Sequence, residues 1–161
     1  MVVGPEVRVK VAADFERFLE QVEPRLRRAL VATYGPVDGR DATRDALSWA
    51  WQHWDQMTAI RHPVAYLYRV GQSAVRRFGP RPFPVDVLVR AADEFPDIAP
   101  ELWAALARLS SQQRTVVLLV HGYGWSQAEV ASLLAINPST VREHMNRALD
   151  RLRQELVVPD V

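Results

Sequence analysis

The chain has 161 residues, 20 Lys plus Arg against 19 Asp plus Glu, a net charge of +1, 48% apolar residues and no cysteine. That length suits one or two small domains with a real core, and the missing cysteines exclude a disulfide scaffold and any thiolate metal site. No apolar run approaches the roughly 18 residues of a membrane span, and MVVGPEVRVKVAADFERF at the start has no signal-peptide core, so a cytoplasmic protein without a membrane anchor is expected.

The near-neutral total hides a pattern. Residues 61–90 carry six arginines and one acid, Asp86, whereas 91–101 carry Asp93, Glu94, Asp97 and Glu101 with no base. Lys10 is the only lysine, so almost all positive charge is guanidinium. Arginine suits phosphate forks and base stacking, although genomic base composition produces the same bias.

In chain order, residues 1–13 read as a tail, in which Val7, Val9 and Val11 alternate too briefly to make a strand. A helix is predicted from about Asp14 to Tyr34, because Phe15, Phe18, Leu19, Val22, Leu26 and Leu30 recur at spacings of three and four. Gly35-Pro36 ends it. A second helix is predicted from about Gly39 to Met57, with Asp38 as N-cap and Leu47, Ala50, Trp51 and Trp54 toward the core. Trp49 points about 200° away from Leu47 and marks either a contact surface or local packing. A third helix starts at Pro63, a favoured first-turn position, and runs to about Phe78 with Leu67, Val70 and Ala74 on its apolar side. Pro80, Pro82, Pro84 and Pro96 then make 79–99 a linker.

The second unit, 100–161, is better punctuated. Leu102, Ala105, Leu106 and Leu109 make a short amphipathic helix. Ser110 with Gln113, and Ser126 with Glu129, are capping-box pairs. Asn137-Pro138 reads as N-cap and first helical residue of a last helix that buries Val141, Met145, Ala148, Leu152 and Leu156. No segment has strand alternation of useful length. The fold class is all-α: two small helical domains, 14–78 and 100–161, joined by a Pro-rich linker.

Residues 126–149, SQAEVASLLAINPSTVREHMNRAL, are a capped helix, a three-residue turn and a second capped helix. This is the layout of a helix-turn-helix; an ordinary helical hairpin with a solvated charged face is the alternative. Ala131 and Leu134 can pack on Val141, leaving Ser139, Arg142, Glu143, Asn146 and Arg147 outward. Arg and Asn can pair with base edges in the major groove, and Glu can accept from cytosine N4. Ala135 stands in the turn where Gly is usual; a left-handed conformation there predicts strain of about 1 kcal/mol.

The wider stretch LARLSSQQRTVVLLVHGYGWSQAEVASLLAINPSTVREHMNRALDRLRQEL resembles region four of bacterial RNA polymerase sigma factors, in the extracytoplasmic-function (ECF) group that keeps only regions two and four. The resemblance implies −35 promoter contacts by Ser139, Thr140, Arg142, Glu143, Asn146 and Arg147. DATRDALSWAW at 41–51 is similar to the region-two helix that grips the polymerase β′ coiled coil, which implies a core-binding role for Asp41, Arg44 and Asp45. The two acids of the family pattern are kept, four apart on one helix face, while Ala42 and Arg44 replace Leu and Gln. AYLYRVGQSAVRRF at 65–78 resembles the promoter-melting helix, with Gln72 and Ser73 in place of the usual Arg and Asn. It implies −10 contacts by Tyr66, Arg69, Gln72, Ser73, Arg76 and Arg77, since aromatic and Arg side chains stack on unpaired bases.

The implied partners are core RNA polymerase, through its β′ coiled coil and β flap, promoter DNA, and an anti-sigma factor. The acidic 93–101 stretch is read as a nucleic-acid mimic inside the polymerase. Thr140, Val141 and His144 also fit the LuxR-type regulator motif, which leaves a stand-alone regulator binding operator duplex as the second reading. An enzyme is not expected. His53, His62, His121 and His144 have no metal spacing, no Gly-rich phosphate loop or nucleophile elbow occurs, and no cofactor or metal is implied.

Overall fold

The structure, a computed structural model, describes residues 4–77, 79 and 99–156. The expected linker, with Asp93, Glu94 and Asp97, lies outside the described residues apart from its end residues Gly79 and Ala99, as do Phe78 and 157–161. All regular elements among the described residues are helical.

Helix α1 (Pro5–Tyr34) begins well before Asp14, so the expected tail is helical from Pro5 onward. Gly4 is its N-cap, and Pro5 takes the first position, where a missing N–H costs nothing. The added turns are mostly solvent-exposed, with Val9 at 70%, so no apolar period announces them. Gly35, at φ 87°, ends α1 and also serves as N-cap of α2 (Pro36–Gln52). Asp38 is therefore not the cap; it lies in the first turn, where a carboxylate still complements the helix dipole. The helix expected to reach Met57 is interrupted at His53 (φ −119°), whose Nδ1–H donates to the Trp49 carbonyl at 2.9 Å, and resumes as the single turn α3 (Trp54–Met57). Helix α4 (Pro63–Arg76) follows.

Helices α1, α2 and α4 form a bundle whose backbones come very close. Helix α2 turns Ala42, Ala46 and Ala50 inward, all at 2% exposure or less. A Cβ on Gly39 would lie 2.6 Å from the Val31 backbone, and one on Gly71 would lie 2.8 Å from the Leu30 side chain. These two glycines are what allow the approach.

The second unit comprises α5 (Pro100–Ala107), α6 (Ser111–Val117), a π-helical turn at Leu118–Gly122, α7 (Gln127–Leu134) and α8 (Pro138–Glu155). Both capping boxes form as the sequence predicts, Ser110 with Gln113 and Ser126 with Glu129. The two units share their cores. Val116, Leu119, Trp125 and Val130 pack with Val22, Leu26 and Leu30 of α1. Val31 and Ala32, on the other side of α1, pack with Trp103, Leu106, Val117, Leu118 and Leu152. The π turn brings Tyr123 and Trp125 against α1, where Arg28 lies 4.6 Å from the first ring centroid and Arg25 lies 4.2 Å from the second.

Candidate nucleic-acid interface

The α7–α8 pair is built by local rules. Ser126 accepts from the Glu129 N–H at 3.1 Å, while the Glu129 carboxylate accepts from the Ser126 N–H at 2.8 Å. Those bonds, with Arg25 3.1 Å away on α1, hold the Glu129 carboxyl below its usual range. Ala135 is left-handed (φ 53°, ψ 46°), the strained geometry expected of it. The bend it makes lets the Ile136 N–H reach the Ala131 carbonyl at 3.1 Å. Asn137 is the N-cap of α8 by position, with Pro138 first, although its side chain makes no capping bond.

Val141, Met145, Ala148 and Leu152 are the buried stripe of α8. Ser139, Arg142, Glu143, Asn146 and Arg147 are exposed on the other side, and Thr140 is half-buried at the margin. Glu143 and Arg147 form an ion pair one turn apart. Their side chains are 57% and 64% exposed, so the pair is weak and easily exchanged for contacts to bases or phosphates.

Helix α4 presents a second basic face, with Arg69, Ser73, Arg76 and Arg77 exposed. The Ser73 hydroxyl donates to the Arg69 carbonyl at 3.1 Å. Tyr66 is half-buried, 5.4 Å from Trp49, which itself stacks on His53 at 4.2 Å. Trp49 therefore has the packing role. Trp51, expected in the core, is 49% exposed and leans on Phe15 at 4.8 Å. Gln72, expected among the −10 contacts, is half-buried on the same helix, beside Tyr34 and Tyr68. On α2, Asp41, Arg44 and Asp45 are all exposed, with Arg44 3.3 Å from Asp41. No cluster of three metal-ligating side chains, and no helix long and apolar enough to cross a membrane, occurs among the described residues.

Sequence reasoning missed the residues between the units. Arg114 is buried on α6, and Thr33, Tyr68 and Thr115 are buried together beside it. The available signal was a charged residue heading the apolar run TVVLLV, together with the lack of any base in the last turn of α1.

A Sigma-70, region 4 family model matches residues 100–152. An RNA polymerase sigma-E factor from Streptomyces coelicolor is 31% identical over 158 residues, covering 92% of this chain and 89% of that protein. The chain belongs to the RNA polymerase sigma factor family. A sigma-E factor from Streptomyces avermitilis is 30% identical with the same coverage of this chain. The fold is that of two solved proteins, the first a sigma factor. One is RpoE from Bartonella quintana, solved with the anti-sigma factor NepR, at TM-score 0.62, 21% identity and coverage of 91% of this chain and 99% of that one. The other is CnrH, solved with the cytosolic domain of CnrY, at TM-score 0.61, 21% identity and coverage of 91% and 89%. The likeness to sigma factors spans both units, so the stand-alone regulator reading, which rested on residues 140–144 alone, gives way.

Proposed function

We propose that this sigma factor binds core RNA polymerase through Asp41, Arg44 and Asp45 on α2, against the β′ coiled coil, and through its second unit against the β flap. Ser139, Thr140, Arg142, Glu143, Asn146 and Arg147 read the −35 duplex. Tyr66, Arg69, Gln72, Ser73, Arg76 and Arg77 engage the −10 region, with Tyr66 stacking on an unpaired base. Catalysis belongs to the polymerase, and the site of action is the cytoplasm. An anti-sigma factor is a further proposed partner, since one fold neighbour was solved with a bound anti-sigma factor.

One observation supports the residue roles: apart from the half-buried Tyr66, Gln72 and Thr140, each set is exposed on a helix packed from behind, α8 by α7 and α4 by α1 and α2. Phosphate contacts from the arginines supply most of the affinity and make it fall with salt, while the base-edge contacts of α8 choose the sequence. The test is run-off transcription with purified core polymerase. Asp41→Arg with Asp45→Arg abolishes capture of core, and Arg142→Ala weakens promoter use by about 1–3 kcal/mol. Unimpaired capture by the double variant rejects the clamp assignment.

A further inference from the structure

Arg61 and His62 stand immediately before α4, both exposed, and neither side chain has a hydrogen-bond or ion-pair partner among the described residues. They edge a cavity of about 380 Å³, a volume within the range of small-molecule sites. Its lining comes from α1, from the first turn of α4, and from α7 with the Trp125 that precedes it.

The apolar part of that lining is anchored in the core. Trp125, Leu133 and Ala65 are 7%, 2% and 8% exposed, and Val64 is half-buried beside them. Trp125 is further fixed by Arg25, which lies 4.2 Å from its ring centroid. The surface offered to an occupant is therefore preformed, and little ordering is needed on binding.

The charges in the lining do not cancel. The Arg25 guanidinium is 3.1 Å from the Glu129 carboxylate, so those two neutralise each other. Arg61 is left as an uncompensated cation, and His62 beside it offers a ring N–H in either tautomer. A bare inorganic anion would pair with Arg61 but gain nothing from Val64, Leu133 and Trp125. A neutral hydrocarbon would cover those groups and leave the guanidinium unpaired. An occupant that meets both demands carries a carboxylate or phosphate head, each of which fits the guanidinium fork, on a compact apolar body.

We infer that this cavity is a binding site for a small amphiphilic anion, its head on Arg61 and His62 and its apolar body over Val64, Leu133 and Trp125. The residues that form it are separate from those assigned to polymerase and promoter, so the site stands or falls independently of those roles. They are drawn from stretches more than 60 residues apart in the chain, which is why no motif announced them.

The probe for the test is anilinonaphthalene sulfonate, an aromatic anion whose fluorescence rises in apolar surroundings. The intact chain binds one molecule of it. Phenylnaphthylamine, which has the same rings without the sulfonate, binds about tenfold more weakly, the change expected for one hydrogen bond between charged groups. Arg61→Gln weakens the sulfonate probe by about the same factor and leaves phenylnaphthylamine unaffected. Ser132→Phe, at an exposed position of α7 that lines the cavity, fills the space and abolishes binding of both, with the circular dichroism and melting temperature of the parent retained. Arg153→Gln, exposed in the last turn of α8 and outside the cavity, changes neither. Octanoate and octyl phosphate displace the probe, and inorganic phosphate at the same concentration does not. The inference is overturned if Arg61→Gln weakens binding no more than Arg153→Gln, or if the neutral analogue binds as tightly as the sulfonate, which would mark a merely apolar patch. Displacement by inorganic phosphate as effective as by octanoate also overturns it, since that marks a bare-anion contact. Arg61 is on the surface, so its variant carries the test if Ser132→Phe disturbs the fold.

Discussion

The two units are specified by different physics. The second is written locally: two capping boxes, a Pro-first helix and a turn residue sit within a few positions of the backbone groups they serve. The first depends on what is absent, the side chains missing at Gly39 and Gly71 and the small ones at Ala42, Ala46 and Ala50, because α1, α2 and α4 must nearly touch. Capping errors therefore fray one helix, whereas a single methyl in the wrong place obstructs a whole bundle.

The sharpest break of that contrast is Gly39→Val. Its Cβ alone would sit 2.6 Å from backbone atoms of Val31, which cannot swing aside, and the expected loss is about 3 kcal/mol in denaturant unfolding. A loss near zero would mean that the close approach does not organise the first unit. Ser126→Ala removes one half of a capping box and should cost about 1 kcal/mol, read as a lower melting temperature with the rest of the circular dichroism unchanged.

Those two sites also show what the sequence made readable. A capping box declares itself within four residues, so Ser110, Ser126 and Asn137-Pro138 were found, and with them the helix-turn-helix and its outward polar set. The start of α1 was not, since residues 5–13 bury almost nothing and carry no apolar period. The α2 pattern leaves Trp49 open between contact and packing because its partner, Tyr66, is on another helix, and it places Trp51 in the core although that ring is 49% exposed. Thr33 and Thr115 are 82 residues apart, and no spacing rule joins them.

Smaller effects sharpen the comparison within the second unit. Ala135→Gly should stabilise it by about 0.5–1 kcal/mol, the left-handed strain relieved less the added freedom of the unfolded chain; a destabilised variant would mean that the Ala135 methyl packs usefully. Weakest is the acid limb of the Glu129 cap. Its carboxyl is held below the usual value by the Ser126 N–H and by Arg25, so its contribution is complete above the unfolded carboxyl's pKa near 4.3 and is lost as pH falls through the lower folded value. Glu129→Gln should flatten that part of the stability profile; because the group is largely exposed, the change is a few tenths of a kcal/mol.

Helix α1 runs through both buried clusters, with Leu26 and Leu30 in one that joins residues of both units and Val31 and Ala32 in one otherwise made by the second unit. The connection through residues 79–99 is then not what keeps the halves of the free protein together. Severed there, the pieces should co-elute and melt as a single species, and separately produced halves should find each other in solution, as in a split reporter whose reassembly is read by complementation.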